Sequence, residues 1–138
     1  MIYLDANVFM FAILSEGKKS EICKTILRKI ADNKFPAFTS LLTWGEVTWA
    51  TRKLLGVKNS LDEGAKFVEF PYLKFVEVNE IIINIAQDMT KRYSLKPRNA
   101  IHAATAAYWR AEKILTDDSD FDAVREIIRV PVEKFSAE

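Results

Sequence analysis

Short apolar runs that alternate with helical periodicity constrain this chain more than any other feature. Met1-Ile2-Tyr3-Leu4 is apolar and stops at Asp5, as a strand buried on both faces does. Pro36 to Thr39, Lys74 to Val78 and Lys113 to Thr116 read as further strands. Between them, apolar residues recur at helical spacing. Ser20 to Ala31 is one such stretch, with Ser20 placed as its N-cap. Another starts at Ser40, runs through Leu42, Trp44, Val47 and Leu54 with Trp44 and Val47 on its buried face, and stops at Gly56. Leu61 to Phe70 is helical up to Pro71, and Glu80 to Arg92 turns Ile81, Ile82, Ile85 and Met89 inward. A helix with Pro97 in its first turn then runs towards Trp109. Asp120 to Ile128 reads as a short helix, and Arg129 to Lys134 as an edge strand, because Pro131 has no N–H for a central ladder. This alternation predicts a three-layer α/β/α domain on a mainly parallel sheet. Residues 1–138 show no repeat, low-complexity tract or linker, which predicts a single domain.

Composition then removes function classes. A hydrophobic share of 49% excludes a disordered chain. Apolar runs such as Ile81-Ile82-Ile83 are too short to cross a bilayer, and the N-terminus lacks a signal-peptide layout. Cys23 has no internal disulfide partner, so the expected setting is the reducing cytoplasm. A net charge of +1 gives no global basic field, which leaves local patches to contact nucleic acid. One histidine and one cysteine cannot build a zinc site of nitrogen and sulfur ligands. No serine has a G-x-S-x-G context to pair with His102, and glycines at 17, 45, 56 and 64 are too scattered for a phosphate loop. Carboxylates remain as the carriers of any chemistry.

In open parallel sheets, functional residues gather at the carboxyl ends of the strands. Asp5 ends the first strand, and Asp117, Asp118 and Asp120 follow the strand that ends at Thr116. Glu46 lies within the helix after the second strand, and Asn99 in the first turn of the helix before Lys113. If the first and penultimate strands are neighbours, these segments converge on one rim. Clustered carboxylates repel and resist desolvation, so they need cations or protons. Magnesium or manganese suits such oxygen ligands and can serve an in-line attack on a phosphodiester. Each acid also has a simpler role: Asp5 as the cap of the next helix, Glu46 as a solvated helix residue, and the aspartates after Thr116 as turn residues. For Asp117 and Asp122 the turn role stands. His102 reads as a structural histidine hydrogen-bonded beside the core.

Four segments in order, YLDANVF, TSLLTWGEVTWATRKLLG, RNAIHAATAAYW and ILTDDSDFD, make the chain resemble the PIN-domain ribonucleases, particularly the VapC-type toxins of prokaryotic toxin–antitoxin pairs. The resemblance implies a PIN fold and Mg²⁺- or Mn²⁺-dependent cleavage of RNA. It assigns metal-ligand positions to Asp5, Glu46, Asn99 and Asp118, with Asp120 as an outer-sphere helper. It also makes Thr116 the family's hydroxyl residue and Asn7 a brace for Asp5. Arg98, Lys96, Arg52 and Lys53 become candidate RNA contacts. The family pattern adds a small antitoxin and a homodimer as partners, with core packing the expected role for Trp44 and Trp49.

Position 99 departs from the pattern, which has aspartate there. An asparagine keeps the shape and an oxygen ligand but removes one negative charge, so the expectation is weakened metal binding and cleavage. Two other readings compete with the nuclease. One is a PIN-like module that binds RNA or protein without turnover. The other is a receiver-like signalling domain, which also sets acids and a threonine at strand ends. It lacks the lysine expected at a strand end after Thr116.

Overall fold

Strand β1 (Ile2–Leu4) is three residues long and lies in the middle of the sheet of this computed structural model, which describes residues 1–135. The sheet has five strands in the order β3-β2-β1-β4-β5, with β2 at Ala37–Ser40, β3 at Leu73–Val76, β4 at Lys113–Leu115 and β5 at Arg129–Val130. Every pairing is parallel, with Tyr3 opposite Phe38 on one side and Ile114 on the other. A receiver-like domain has its first strand between the second and third. The observed order removes that reading.

Helices cross between the strands: α1 (Ala6–Leu14), α2 (Lys18–Ala31), α3 (Leu42–Leu55), α4 (Val57–Val68), α5 (Glu80–Tyr93) and α6 (Pro97–Tyr108). Side chains alternate across a strand, so each strand feeds two cores. Tyr3, Phe38 and Ile114 pack with Ile82, Ala86 and Met89 of α5 and with the alanines of α6. Ile2, Leu4, Ala37 and Leu115 pack instead with Phe9, Ile26, Val47 and Phe67 from α1 to α4. Ala100, Ala103, Ala104 and Ala106 are almost wholly buried, which lets α6 lie close to the sheet.

The structure corrects several local expectations. Helix α2 begins at Lys18 after Gly17, and Ser20 is a buried helix residue rather than a cap. Gly56, at φ 89°, ends α3 and starts α4 in the same step, so α4 begins four residues before the expected Leu61. Trp44 and Leu54 are exposed, and the buried face of α3 is Thr43, Val47 and Thr51. The Thr51 hydroxyl donates to the Val47 carbonyl at 2.8 Å, which allows a polar residue to pack like an apolar one. Ile81 is exposed while Ile82 is buried. The expected helix after Asp120 is a short 3-10 turn, Ser119–Ala123. Strand β5 stops before Pro131, and a second 3-10 turn occupies Val132–Lys134.

Candidate active site

Strand order reverses at β1, whose two neighbours are β2 and β4, and crevices for ligands form at the carboxyl ends of such strands. Asp5 stands at this point, immediately after β1. Its Oδ1 caps α1 by accepting the Ala6 N–H at 2.7 Å, and its Oδ2 accepts the Thr116 hydroxyl at 2.7 Å. Thr116 follows β4, and its Oγ1 in turn accepts from the Asn7 amide at 2.9 Å and from the Asp118 N–H at 3.1 Å.

Asp118 opens the 3-10 turn, accepting the Asp120 N–H on Oδ1 at 2.9 Å. Its Oδ2 accepts from Asn99 Nδ2 at 2.9 Å. Glu46, on the second turn of α3, meets His102 Nε2 of α6, and that nitrogen also lies 3.5 Å from Asp5 Oδ1. The other ring nitrogen, Nδ1, is 2.6 Å from the Tyr3 hydroxyl. Asp5, Thr116, Asp118 and Asn99 therefore form one hydrogen-bonded group and Glu46 and His102 another, which meet at this approach and are assembled from four distant segments.

Burial pushes the Asp5 carboxyl above its ordinary range, opposed by the His102 charge and the Thr116 hydroxyl. Burial also drives His102 down, but its bond to Glu46 and the Asp5 charge outweigh this and hold it above the usual imidazole value. Burial together with the charges of Asp5 and Glu46 raises the Tyr3 phenol, which stays protonated. Two carboxylates, Asp5 and Glu46, thus share one imidazole. The remaining donors are oxygens, from the carboxylates and from the Asn99 amide. Asn7 Oδ1 is buried beside Thr116 with no partner among the described residues and can accept from a bound water. Oxygen donors are the chemistry that a hard divalent cation such as Mg²⁺ or Mn²⁺ prefers, and not that of a zinc site of thiolates and imidazoles, although among the described residues no three His, Cys, Asp or Glu side chains lie together closely enough to hold a metal ion as placed.

The other expected residues fall into groups. Lys96 and Arg98 are exposed and flank the start of α6, and the Arg98 charge reaches His102. Arg52 is exposed and lines a groove of about 460 Å³ between α3 and α4, with Trp44, Trp49 and Gly64. Lys53 sits 5.6 Å from the centre of the Trp49 ring. Trp44 and Trp49 are 48% and 55% exposed, so they are surface residues and not core. Asp120 enters the network only through its backbone N–H. Asp117 serves structure, bonding the Val132 N–H at 3.0 Å and Lys19 at 2.6 Å. Asp122 pairs with Arg129 at 2.7 Å.

Sequence reasoning put His102 beside the core and missed that it touches Glu46 and Asp5 and that Tyr3 holds its other ring nitrogen. The available signal was spacing: Asn99 and His102, three apart, lie on one helical face. Nothing in the apolar run singled out Tyr3.

A sequence model described as the PIN domain matches residues 2–127, and the chain belongs to that family. Two curated relatives come from Methanocaldococcus jannaschii. Ribonuclease VapC2 is 24% identical over 135 residues, covering 89% of this chain and 88% of the relative. Ribonuclease VapC6 is 37% identical over 59 residues, covering 43% of this chain, so the match spans only 39% of that relative's length. Among solved structures, a toxin–antitoxin complex from Klebsiella pneumoniae contains a chain that aligns with a TM-score of 0.67 at 20% identity, covering 93% of this chain and 96% of that one. This last likeness concerns the fold.

Proposed function

We propose that this chain is a divalent-metal-dependent ribonuclease of the VapC type, the toxin of a toxin–antitoxin pair. The observation that carries the reading is the meeting, at the switch point of the sheet, of two hydrogen-bonded groups, Asp5–Thr116–Asp118–Asn99 and Glu46–His102, which approach to 3.5 Å between His102 Nε2 and Asp5 Oδ1. The names of the curated relatives favour RNA as the substrate.

Asp5, Glu46 and Asp118 would hold Mg²⁺ or Mn²⁺, with the Asn99 amide oxygen as a weaker fourth ligand. When bound, such a cation activates water and neutralises charge at a phosphodiester. The chain's own residues do the rest. Thr116 fixes the Asp5 carboxylate and, through the Asp118 N–H, the turn that carries the second aspartate. Arg98 and Lys96 offer exposed positive charge beside the acids for the RNA backbone, which would otherwise be repelled there. Asp120 is an outer-sphere helper at the rim.

Asn99 attenuates the site. Its amide donates to an Asp118 oxygen, whereas aspartate there would present a second carboxylate to the cation. The same contact favours a second reading, in which the chain binds RNA or protein without turnover. Exposed apolar surface supports the partners. The α3–α4 groove offers tryptophans to an antitoxin, and Leu41, Ile81 and Ile83 offer apolar area to a second copy in a homodimer. No helix among the described residues is long and apolar enough to cross a membrane, and a ribonuclease of this kind would work in the cytoplasm.

The test is to incubate the chain and its Asn99→Asp variant with an RNA pool in Mn²⁺ or EDTA and map the ends. Cleavage in Mn²⁺, stronger in the variant, is the expected result. Cleavage that survives EDTA removes the metal, and no cleavage by either protein selects the binding module.

A further inference from the structure

The acids of the cluster are not held equally. Asp5 is fixed by a backbone N–H and a hydroxyl, and Asp118 by a backbone N–H and the Asn99 amide. Glu46 has the longest of these side chains, and its one hydrogen-bond partner among the described residues is His102 Nε2. His102 has no freedom of its own. Its side chain is 1% exposed, it rides on the alanine-packed α6, and its Nδ1 is tied to the hydroxyl of Tyr3, which is fully buried in β1. A carboxylate only accepts, so Nε2 must carry the proton that faces Glu46. That holds whether Nδ1 accepts from the Tyr3 hydroxyl or donates to it. The contact chain thus runs from the central strand through α6 to a carboxylate on α3.

We propose that Tyr3 and His102 are positioning residues that hold the Glu46 carboxylate where it can ligate a divalent cation. The proposal rests on the metal-site reading above. It deepens that reading by adding a buried support behind one ligand. Side chains that orient metal ligands from behind usually change affinity or activity by about 10–100-fold when removed. Tyr3→Phe deletes one hydroxyl and keeps the ring packing, which makes it the cleanest variant. His102→Gln retains an N–H that can face Glu46, while His102→Leu retains none.

Two measurements test this. Because the chain has one histidine, its ring signals in a proton–nitrogen NMR spectrum need no assignment. The Nε2–H should appear as a slowly exchanging signal, be lost in Glu46→Ala, and exchange faster in Tyr3→Phe. This readout requires no metal. Calorimetric titration with Mn²⁺ should then show about 10-fold weaker binding in Tyr3→Phe and weaker still in His102→Leu, with much of the loss recovered in His102→Gln. The KM for RNA should stay near native while kcat falls.

An Nε2–H signal unchanged in Glu46→Ala overturns the proposal. So does native Mn²⁺ affinity in Tyr3→Phe and His102→Leu, even if both lose thermal stability, because the pair is then core packing. If the native chain binds no Mn²⁺ while the Nε2–H responds to Glu46→Ala, the metal-site reading fails and the positioning of Glu46 stands.

Discussion

Helix α3 serves two regions that differ in kind. Glu46 points into a rim where carboxylates, hydroxyls and an imidazole are almost all paired with one another. Trp44, Trp49 and Arg52 line an open groove against α4 where apolar surface meets solvent. Val47 between them is fully buried. One helix therefore anchors in the core, supplies an acid to the rim and presents tryptophans to the outside. The polar groups of the rim find their partners within this chain. The groove leaves two tryptophans half exposed beside Arg52, the kind of apolar surface that marks interaction sites in other proteins.

Substitutions can separate the two regions. The largest effect is expected from Asp5→Ala. RNA cleavage in Mn²⁺ falls to background, and the lost helix cap lowers stability by about 1 kcal/mol, read from chemical denaturation. A cleaving Asp5→Ala protein would detach the rim from the chemistry.

Asn99→Asp comes next. It sets a second carboxylate where an amide now donates 2.9 Å from Asp118 Oδ2. Without metal, two carboxylates at this distance repel when both are ionised. The repulsion is relieved at low pH, where one of them takes up a proton, and grows as pH rises. In EDTA the variant should therefore melt below the native chain at pH 8 and approach it near pH 4. Added Mg²⁺ should reverse the order, since ligand at about 100 times its Kd adds about 2.7 kcal/mol. Identical melting curves at every pH would place residue 99 outside the cluster.

A smaller effect separates two arginines. Arg98→Ala should raise KM for RNA several-fold at low salt and flatten the salt slope by about one unit. Arg52→Ala, in the groove, should change KM less than twofold. Equal effects would extend the RNA path across α3 and undo the distinction between rim and groove.

The smallest effect lies in the groove floor. A Cβ on Gly64 would meet Thr48 Cγ2 at 3.0 Å and Trp44 Nε1 at 3.2 Å. Gly64→Ala gains about 1 kcal/mol of helix propensity but must displace both neighbours. The net stability change should stay within about 1 kcal/mol, with an altered tryptophan emission and unaltered cleavage.

The same contrast explains what the sequence made legible. Strand and helix order could be read because β1 is a short apolar run that ends at Asp5, β4 ends likewise at Thr116, and β3 alternates, while helical periodicity fills the stretches between. The acids could be placed on one rim because parallel strands all end on the same side. The tryptophans were misread because hydrophobic residues were assumed to face inward, while α3 buries Thr43 and Thr51, whose hydroxyls are satisfied internally. Ile81, Ile82 and Ile83 form a run in which period alone does not choose the inner residue. The Glu46–His102 contact spans 56 positions and depends on how α3 and α6 approach each other, which no local pattern encodes.

The bond from Thr116 to Asp5 closes a separation of 111 residues, and β1 cannot gain its second neighbour until β4 exists. During synthesis, Asp5 emerges early and waits for nearly the whole chain before its partners arrive. A growing chain that has completed α1 to α5 carries two of the acids but no cluster. The cluster is therefore withheld by topology until β4 and the turn after it have been made, so no incomplete chain can assemble it.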